Sequence, residues 1–388
     1  MRSAADRRHH ENRCAMGDSW WNMEKQRVRI CDIAEELGLS TATVSNVIHG
    51  KTKKVSDETV KRVQALLEER QYIPSMAGVL LAQNSSRIIG IFINDHEKYE
   101  GHTLEDAFIA SSLNYLSAEI EAHGQFMMVK KAKNPKEILK FASMWNMDGL
   151  VIIGFCNQDY MYLRERMRIP FIIYDGFLQS EQHRGAIRNA ASELPPNEVR
   201  GRFQKSEQYR EAIGFVNITI DNYDGGLQVG RFFRESGHTQ ALCISDNEMG
   251  VDQERIEGFR AGFGVDGAGT LIVPMAQEER WNFYRRELGR FRSVSAVFAV
   301  SDYYAVDLIH FLKENGFSIP EDISVAGFDD IPLCRMISPT LTTVRQDGAL
   351  RARIAVEKLF ELKENRCEER MVTLPVTLMK RESTRICS

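Results

Sequence analysis

The sequence predicts a small all-α unit near the N-terminus, followed by a larger α/β unit with two doubly wound parallel sheets. In residues 28–73 apolar residues recur only at helical spacing, whereas from Arg87 onwards short β-branched runs alternate with helical stretches. The chain has 388 residues, of which 43% are hydrophobic and 27% charged. This length and composition indicate two or three globular domains and argue against a disordered or fibrous chain.

Three short helices are expected in residues 28–73. Apolar residues in 30–37 follow the spacing of one helix face, and Gly38 suits the left-handed conformation that ends a helix. Ser40 is placed to cap a second helix, Thr41–Ile48, and Ser56 is placed to cap a third. The residues after Tyr72 end the unit, because the residue before a proline avoids the helical region.

The first two helices have the spacing of a helix-turn-helix. Ala34 is small enough to let two helices approach closely, Gly38 permits the turn, and the β-branched Val44 packs back onto the first helix. This spacing favours DNA binding, although it also fits any helix pair joined by a glycine. Residues 23–87 carry a net charge of +2, while residues 88–388 carry −7, so the charge distribution points weakly the same way.

Eight strands in two runs of four are expected in the larger unit. They are 88–93, 126–129, 150–153, 171–174, 241–245, 271–273, 296–300 and 323–328. In such folds ligands bind at the carboxyl ends of the strands. Residues 177–215 interrupt the alternation with a mixed-charge stretch that contains two adjacent prolines, and we interpret them as an insertion.

Residues 39–50, with the sequence LSTATVSNVIHG, resemble the DNA-recognition segment of the lactose-repressor (LacI/GalR) family of bacterial transcription regulators. Ordered matches, among them residues 222–226, 255–259 and 323–330, extend the resemblance over residues 28–382, apart from the insertion. The resemblance implies a periplasmic-binding-protein-like effector domain. It also implies a regulator, which we expect to be a repressor, that binds a pseudo-palindromic operator in double-stranded DNA as a homodimer under the control of a small-molecule effector.

Nine residues are expected at the DNA. They are Thr41, Ala42, Thr43, Ser45, Asn46, Lys51, Ser56, Tyr72 and Leu81. The first part of the second helix enters the major groove, which places Thr41, Ala42 and Asn46 at base edges and Thr43 and Ser45 near phosphates. Many family members carry arginine, which suits guanine, where this chain has Asn46. Asparagine pairs with adenine instead, so we expect an altered central base preference.

Residues 74–86 resemble the hinge helix and linker of the family, in which a leucine wedge enters the minor groove. Leu81 matches that wedge. Gly78 and Val79 depart from the usual alanine and basic residue, and glycine lowers helix propensity, so the hinge is expected to be less helical without DNA. A plain linker is the alternative interpretation.

Five residues are expected to bind the effector: Asn94, Asp175, Arg255, Asp302 and Phe328. Asp175, Arg255 and Asp302 match ligand positions of the family. An arginine with two aspartates suits a polyhydroxylated neutral ligand such as a carbohydrate, but the same residues also fit a structural salt-bridge network. Phe328 suits either stacking on a sugar ring or the core. The adjacent pair Asp329-Asp330 is discounted as a site, since neighbouring side chains point in different directions.

The expected domain organisation has five parts. Residues 1–26 form a disordered extension, 27–73 the helix-turn-helix domain, 74–86 the hinge and linker, 87–382 the effector-binding and dimerisation domain with the insertion 177–215, and 383–388 a C-terminal tail. We expect no enzyme activity, cofactor, metal or membrane partner, and a cytoplasmic, nucleoid-associated protein. The alternatives are a regulator of this fold controlled by a partner protein, or a stand-alone solute-binding protein.

Overall fold

The fold is described from a computed structural model. The structure describes residues 28–48, 50–72, 85–96, 99, 101–176 and 214–387. The N-terminal extension, Leu81 with most of the predicted hinge, and most of the predicted insertion lie outside the described residues. The chain divides into two compact units, Met1–Asn84 and Ser85–Ser388.

Three helices make up the described part of the first unit. They are α1 (Ile30–Leu37), α2 (Thr41–Ile48) and α3 (Asp57–Glu69). Their shared core centres on the fully buried side chains of Ile33, Val44 and Val63. The predicted helices and the role of Val44 are therefore confirmed.

The predicted turn and caps of the first unit are also confirmed. Gly38 ends α1 in the left-handed conformation with φ of 65°. The Ser40 hydroxyl accepts a hydrogen bond from the Thr43 amide at 3.1 Å, and the Ser56 hydroxyl accepts one from the Thr59 amide at 3.3 Å. Each cap satisfies an amide that the helix itself leaves without a partner.

The described part of the second unit contains two six-stranded sheets. The first sheet contains β1 (Ile88–Asn94), β2 (Phe126–Ala132), β3 (Gly149–Ile153), β4 (Phe171–Tyr174), β5 (Phe215–Ile220) and β11 (Met371–Leu374), in the order β11-β5-β4-β3-β1-β2. The second sheet contains β6 (Ala241–Ser245), β7 (Ala268–Ile272), β8 (Ala296–Ala299), β9 (Ser324–Asp329), β10 (Thr342–Gln346) and β12 (Val376–Met379), in the order β12-β10-β9-β8-β6-β7. Neighbouring strands run parallel except for the antiparallel pair β10 and β12.

Helices pack around these sheets, which explains why the central strands are apolar on both faces. The helices are α4 (Ala107–Ala122), α5 (Pro135–Met144), α6 (Asn157–Arg166), α7 (Asn222–Glu235), α8 (Gly250–Phe263), α9 (Gln277–Arg286), α10 (Leu288–Arg292), α11 (Asp302–Glu314) and α12 (Gly348–Lys363). All five residues of β3 are buried. None of the described helices is long and apolar enough to cross a membrane.

The predicted number of strands is wrong, although each of the eight predicted runs overlaps an observed strand. The prediction missed β5, β10, β11 and β12. Phe215, which the prediction placed in the insertion, opens β5, while β10 is largely polar and β11 and β12 have only four residues each. Counted over the described strands, the chain therefore crosses between the sheets three times, after β5, after β10 and after β11.

The last residues pack onto the second sheet. Ser383 is fully buried, and its hydroxyl donates a hydrogen bond to the Val325 carbonyl at 2.6 Å. The Cys387 amide donates to the Ser236 carbonyl at 2.7 Å. Residues that we separated from the domain as a tail are thus held by backbone and side-chain hydrogen bonds.

Candidate nucleic-acid interface and ligand cleft

The helix α2 presents one apolar and one exposed face. Val44 and Val47 are buried in the three-helix core, whereas Thr41, Ala42 and Asn46 are exposed. Side chains three or four residues apart share a helix face, which explains this separation. The three residues predicted to face base edges are therefore accessible on the first turns of α2.

Several of the residues predicted to lie at the DNA also have partners within the first unit. The Thr43 hydroxyl lies 2.8 Å from the Ser40 hydroxyl, and the Ser56 hydroxyl caps α3. Tyr72 packs partly buried against the three-helix core. Ser45 is half-buried on α2. The structure thus gives three of these residues a structural role, and their contacts with DNA stay predictions.

Positive charge follows directly after α2. Lys51, Lys53 and Lys54 are exposed around the 3₁₀ turn Thr52–Lys54. Ammonium groups at the end of a groove-reading helix are suited to contacts with the phosphate backbone, which displace counterions. The exposed face of α2 and these lysines are next to each other in the sequence.

In the second unit, two helices approach closely enough to fix the position of Arg255. A Cβ atom at Gly226 of α7 would lie 2.1 Å from the Arg255 carbonyl oxygen, and one at Gly258 of α8 would lie 2.0 Å from the Tyr223 carbonyl oxygen. Only glycine fits at either position without a backbone shift. The packing of α7 on α8 thereby directs the Arg255 side chain to the carboxyl ends of the second sheet.

The Arg255 side chain is buried and well connected. Its Nε donates to Asn222 Oδ1 at 2.9 Å and its Nη1 donates to the Val300 carbonyl at 2.7 Å. The guanidinium carbon lies 3.8 Å from the centre of the Phe328 ring, and Phe328 is fully buried. Asp329 Oδ1 lies 3.9 Å from Nη1. The Phe328 ring therefore packs against the guanidinium group of Arg255.

Asp302 is also fully buried. Its carboxylate accepts hydrogen bonds from the Ile331 amide at 3.0 Å, the Cys334 thiol at 3.0 Å and the Thr343 hydroxyl at 2.5 Å. Burial raises the pKa of Asp302 to about 7 despite these bonds. The carboxylate thus joins β9 to β10, and its contact with an effector stays a prediction.

Asn94 and Asp175 lie at the carboxyl ends of strands in the first sheet. Asn94 ends β1, donates to the Gly154 carbonyl at 2.8 Å and lines a cavity of about 140 Å³. Asp246 and Met275 of the other sheet line the same cavity. Asp175 follows β4, and its Oδ1 lies 3.7 Å from Arg351 Nη2. Asn94, at the end of β1, and Asp175, directly after β4, are thus the two predicted effector-binding residues on the first-sheet side of the cleft.

Gln346 and Arg351, near the second crossover, are site residues that were not predicted from the sequence. Gln346 Nε2 donates to Asp329 Oδ1 at 2.5 Å, and Arg351 donates to Gln346 Oε1. This chain of contacts links β9 of the second sheet to α12, which packs on the first. Burial raises the pKa of Glu254, beside Arg255, to about 7. In the sequence, the start of α12 at this crossover is marked by Asp347, the residue that caps the helix.

Comparisons with known proteins bear on both units. Residues 29–75 match the model of the bacterial regulatory proteins of the lacI family, and residues 231–384 match the periplasmic binding protein-like domain. The chain belongs to the lacI family. The family's helix-turn-helix domain thus coincides with α1–α3, and the second match covers the second sheet.

Full-length relatives of this lacI-family protein are transcriptional regulators. The HTH-type transcriptional regulator MalR of Clostridium butyricum is 24% identical over 362 residues, which cover 92% of this chain and 99% of that protein. The HTH-type transcriptional repressor PurR of Vibrio campbellii (strain ATCC BAA-1116) is 25% identical over 376 residues, with coverage of 92% and 98%.

Solved structures share the fold along nearly the whole chain. The lac repressor dimer bound to operator and the anti-inducer ONPF matches with a TM-score of 0.73 and 21% identity, covering 93% of this chain and 100% of that one. The complex of the transcriptional regulator CelR with cellobiose matches with a TM-score of 0.60 and 20% identity, covering 92% and 100%. The lacI-family protein therefore has the lac repressor fold.

Proposed function

We propose that this lacI-family regulator is a repressor that binds a pseudo-palindromic operator as a homodimer and is controlled by a small carbohydrate in the cleft between its two sheets. The exposed face of α2, with Thr41, Ala42 and Asn46 on a buried three-helix core, is the observation that carries the proposal. The similarity to the transcriptional repressor PurR and to the operator-bound lac repressor dimer supports it.

Each exposed residue of α2 has a distinct part in reading the operator. Asn46 binds adenine through its N6 and N7 edge, Thr41 hydrogen-bonds a base or touches a thymine methyl, and Ala42 makes an apolar contact. The lysines after α2 bind phosphates and make the affinity salt-dependent. Two copies related by a twofold axis place two α2 helices on two half-sites, which requires a pseudo-palindromic operator.

The effector binds where both sheets contribute polar side chains. Asn94, Asp175 and Arg255 contact the effector directly, because they combine hydrogen-bond acceptors with a guanidinium fork. Asp302 and Phe328 are fully buried, so they support these effector-binding residues from the protein interior. The cellobiose in the CelR complex supports a carbohydrate as the effector.

The effector changes operator affinity by selecting one arrangement of the two sheets. Among the described strands, three crossovers join the sheets, so a ligand held by both sheets favours one closure. If the two arrangements differ in their affinity for the ligand and for the operator, binding of the ligand changes the operator affinity. The operator then changes the affinity for the ligand by the same factor. This mechanism requires no catalysis, and we propose that the protein acts as a cytoplasmic, nucleoid-associated regulator and not as an enzyme.

The experiment is a selection of bound sequences from a random duplex library with the full chain. We expect enrichment of a pseudo-palindrome by the wild type and loss of its central preference in Asn46→Ala. Gln64→Ala removes an equally exposed amide from α3 and is the matched control, which should select the wild-type sequence. Enrichment of no sequence by the wild type, with or without sugars present, would refute the proposed function.

A further inference from the structure

A second cavity, of about 350 Å³, lies at the crossover between β10 and α12. Residues of both sheets and of α4 and α12 line it, among them Phe108, Tyr174, Asp329, Arg345, Gly348 and Arg351. A cavity of this size is at the lower end of the range for small-molecule sites. A ligand in it contacts both sheets at the point where the chain passes between them.

The carboxylates of this cavity are largely engaged with partners of their own. Asp330 forms ion pairs with Arg335 at 2.9 Å and with Arg381 at 2.5 Å. Asp347 caps α12 by accepting from the Leu350 amide at 2.9 Å. Burial raises the pKa of Asp329 well above its usual range, which favours the neutral acid.

Two arginines of the same cavity still offer N–H donors to a ligand, although Arg351 Nη2 lies 3.7 Å from Asp175 Oδ1. Arg345 is exposed at the end of β10, and within the described ranges it forms no ion pair. Arg351 is 1% exposed, and its Nε has no hydrogen-bond partner among the residues that the structure describes. A buried N–H group of a guanidinium that lacks an acceptor is costly, so this position favours a ligand that supplies one.

The first turn of α12 adds further donors. Gly348 and Ala349 open this 16-residue helix and line the cavity. The first amides of a helix have no acceptor within it, and the helix dipole favours negative charge there. Phe108 and Tyr174, over which the Arg351 guanidinium lies at 5.7 and 5.2 Å, form an apolar wall.

We propose that the effector is an anionic sugar derivative, a sugar acid or a sugar phosphate, whose negative group binds Arg345, the Arg351 Nε and the first turn of α12. The polyhydroxylated part extends towards Asp175, whose Oδ1 accepts no hydrogen bond from any described residue. This inference rests on the proposed function and names the class of the effector. It differs from the neutral carbohydrate expected from the sequence.

The test is calorimetric binding to the full-length protein of three probes: D-glucose, D-gluconate and D-glucose 6-phosphate. We expect at least one of the two anions to bind about tenfold or more tightly than glucose, because a charge-assisted hydrogen bond contributes more than a neutral one. Preference for gluconate or for the phosphate ester identifies the kind of anion. Inorganic phosphate and acetate, tested alone, show whether the sugar part contributes.

Two variants locate the anion. Arg345→Gln should weaken binding of the preferred anion about tenfold and leave glucose binding unchanged. Arg353→Gln, an exposed position on α12 that does not line the cavity, is the control and should bind as the wild type does. Because Arg345 is exposed, its substitution leaves the fold intact, which the melting temperature of the variant verifies.

The outcomes separate this inference from the proposed function. Glucose binding as tightly as both anions, or neither anion binding, would overturn the anionic effector while selection of an operator still upholds the repressor. An unchanged anion affinity in Arg345→Gln would overturn the assignment to this cavity. Failure of operator selection would overturn the proposed function, whatever the ligands do.

Discussion

Lys363, the last residue of α12, forms an ion pair of 2.5 Å with the Oδ2 atom of Asp148. The same oxygen accepts from the Ser85 hydroxyl at 2.5 Å, and Asp148 Oδ1 accepts from the Ser86 amide at 2.9 Å. Although burial opposes it, the bonds from Lys363, Ser85 and Ser86 lower the pKa of Asp148. The first residues of the second unit are thus tied to the end of the helix whose start lines the crossover cavity.

This arrangement predicts that Lys363 couples the cleft to the linker. A 16-residue helix is roughly 24 Å long, so α12 extends from the crossover cavity to the ion pair with Asp148. We expect Lys363→Met to bind effector with wild-type affinity but to reduce the effector-induced change in operator affinity, by about 0.5–2 kcal/mol. Fluorescence anisotropy of labelled operator, with and without effector, measures this change.

Arg353→Gln on the same helix is the control for Lys363→Met and should retain the full change, because Arg353 is exposed and lies away from Asp148. An undiminished response of Lys363→Met to effector would show that α12 does not carry the coupling.

We predict that Asn46 sets the central base preference of the operator. Asn46→Arg should shift the preferred base from adenine to guanine, because arginine binds the O6 and N7 atoms of guanine, with a discrimination of about 1–3 kcal/mol. Competition between the two operators for wild type and variant measures the shift. Identical base preferences in both proteins would place Asn46 away from the base edges.

The turn requires glycine at position 38 because its backbone is left-handed there, and not because a side chain would lack space. Its φ is 65°, and an added Cβ atom would meet nothing within 4 Å. We expect Gly38→Ala to destabilise the first unit by about 1–2 kcal/mol, the cost of a left-handed residue with a side chain. Thermal unfolding of the variant, followed together with operator binding, measures the loss.

The matched control is Gly289→Ala, since an added Cβ atom there also meets nothing within 4 Å, while Gly289 lies inside α10. Alanine is the better helix former, so this change should be neutral or stabilising by up to about 1 kcal/mol. Equal destabilisation by both substitutions would contradict the backbone explanation.

Asp302 makes the stability of the second unit depend on pH. Burial raises its pKa from 3.8 to about 7, so the folded state binds this proton more tightly than the unfolded state. The stabilisation from this proton is fully present below the unfolded pKa and is lost as pH rises through about 7. We expect Asp302→Asn to lose less stability than the wild type between pH 5 and pH 8.

Denaturant unfolding at several pH values checks this difference, with Asp266→Asn as control. Asp266 is exposed in the same unit, so its substitution should leave the pH dependence unchanged. A variant Asp302→Asn whose stability falls with pH as steeply as that of the wild type would disprove the assignment.

The first unit could be predicted almost completely from the sequence, because its helices, caps and turn are determined by residues that are close together in the sequence. The cap at Ser40, the turn at Gly38 and the apolar spacing from Ile30 to Leu37 each depend on neighbours within four residues. Asn46 was recognised as exposed for the same reason, since Val44 and Val47 fix which face of α2 is buried.

The cleft was only partly predictable, because its polar groups come together through crossovers. Asp175 and Asn94 follow apolar strands, and such strand ends are visible in the sequence. Gln346 and Arg351 flank a crossover that follows the polar strand β10, which carries no apolar signal. Asp329 was discounted as half of an adjacent pair, yet its neighbour Asp330 faces Arg381 and leaves Asp329 beside Arg255.

The most direct test of the account is the operator affinity of the wild-type protein with and without a saturating ligand of the cleft. We expect one cooperative binding event per pseudo-palindrome and a change in Kd of about 5- to 150-fold on addition of the ligand. A ligand that binds the cleft by calorimetry but leaves the Kd for the operator unchanged would contradict it.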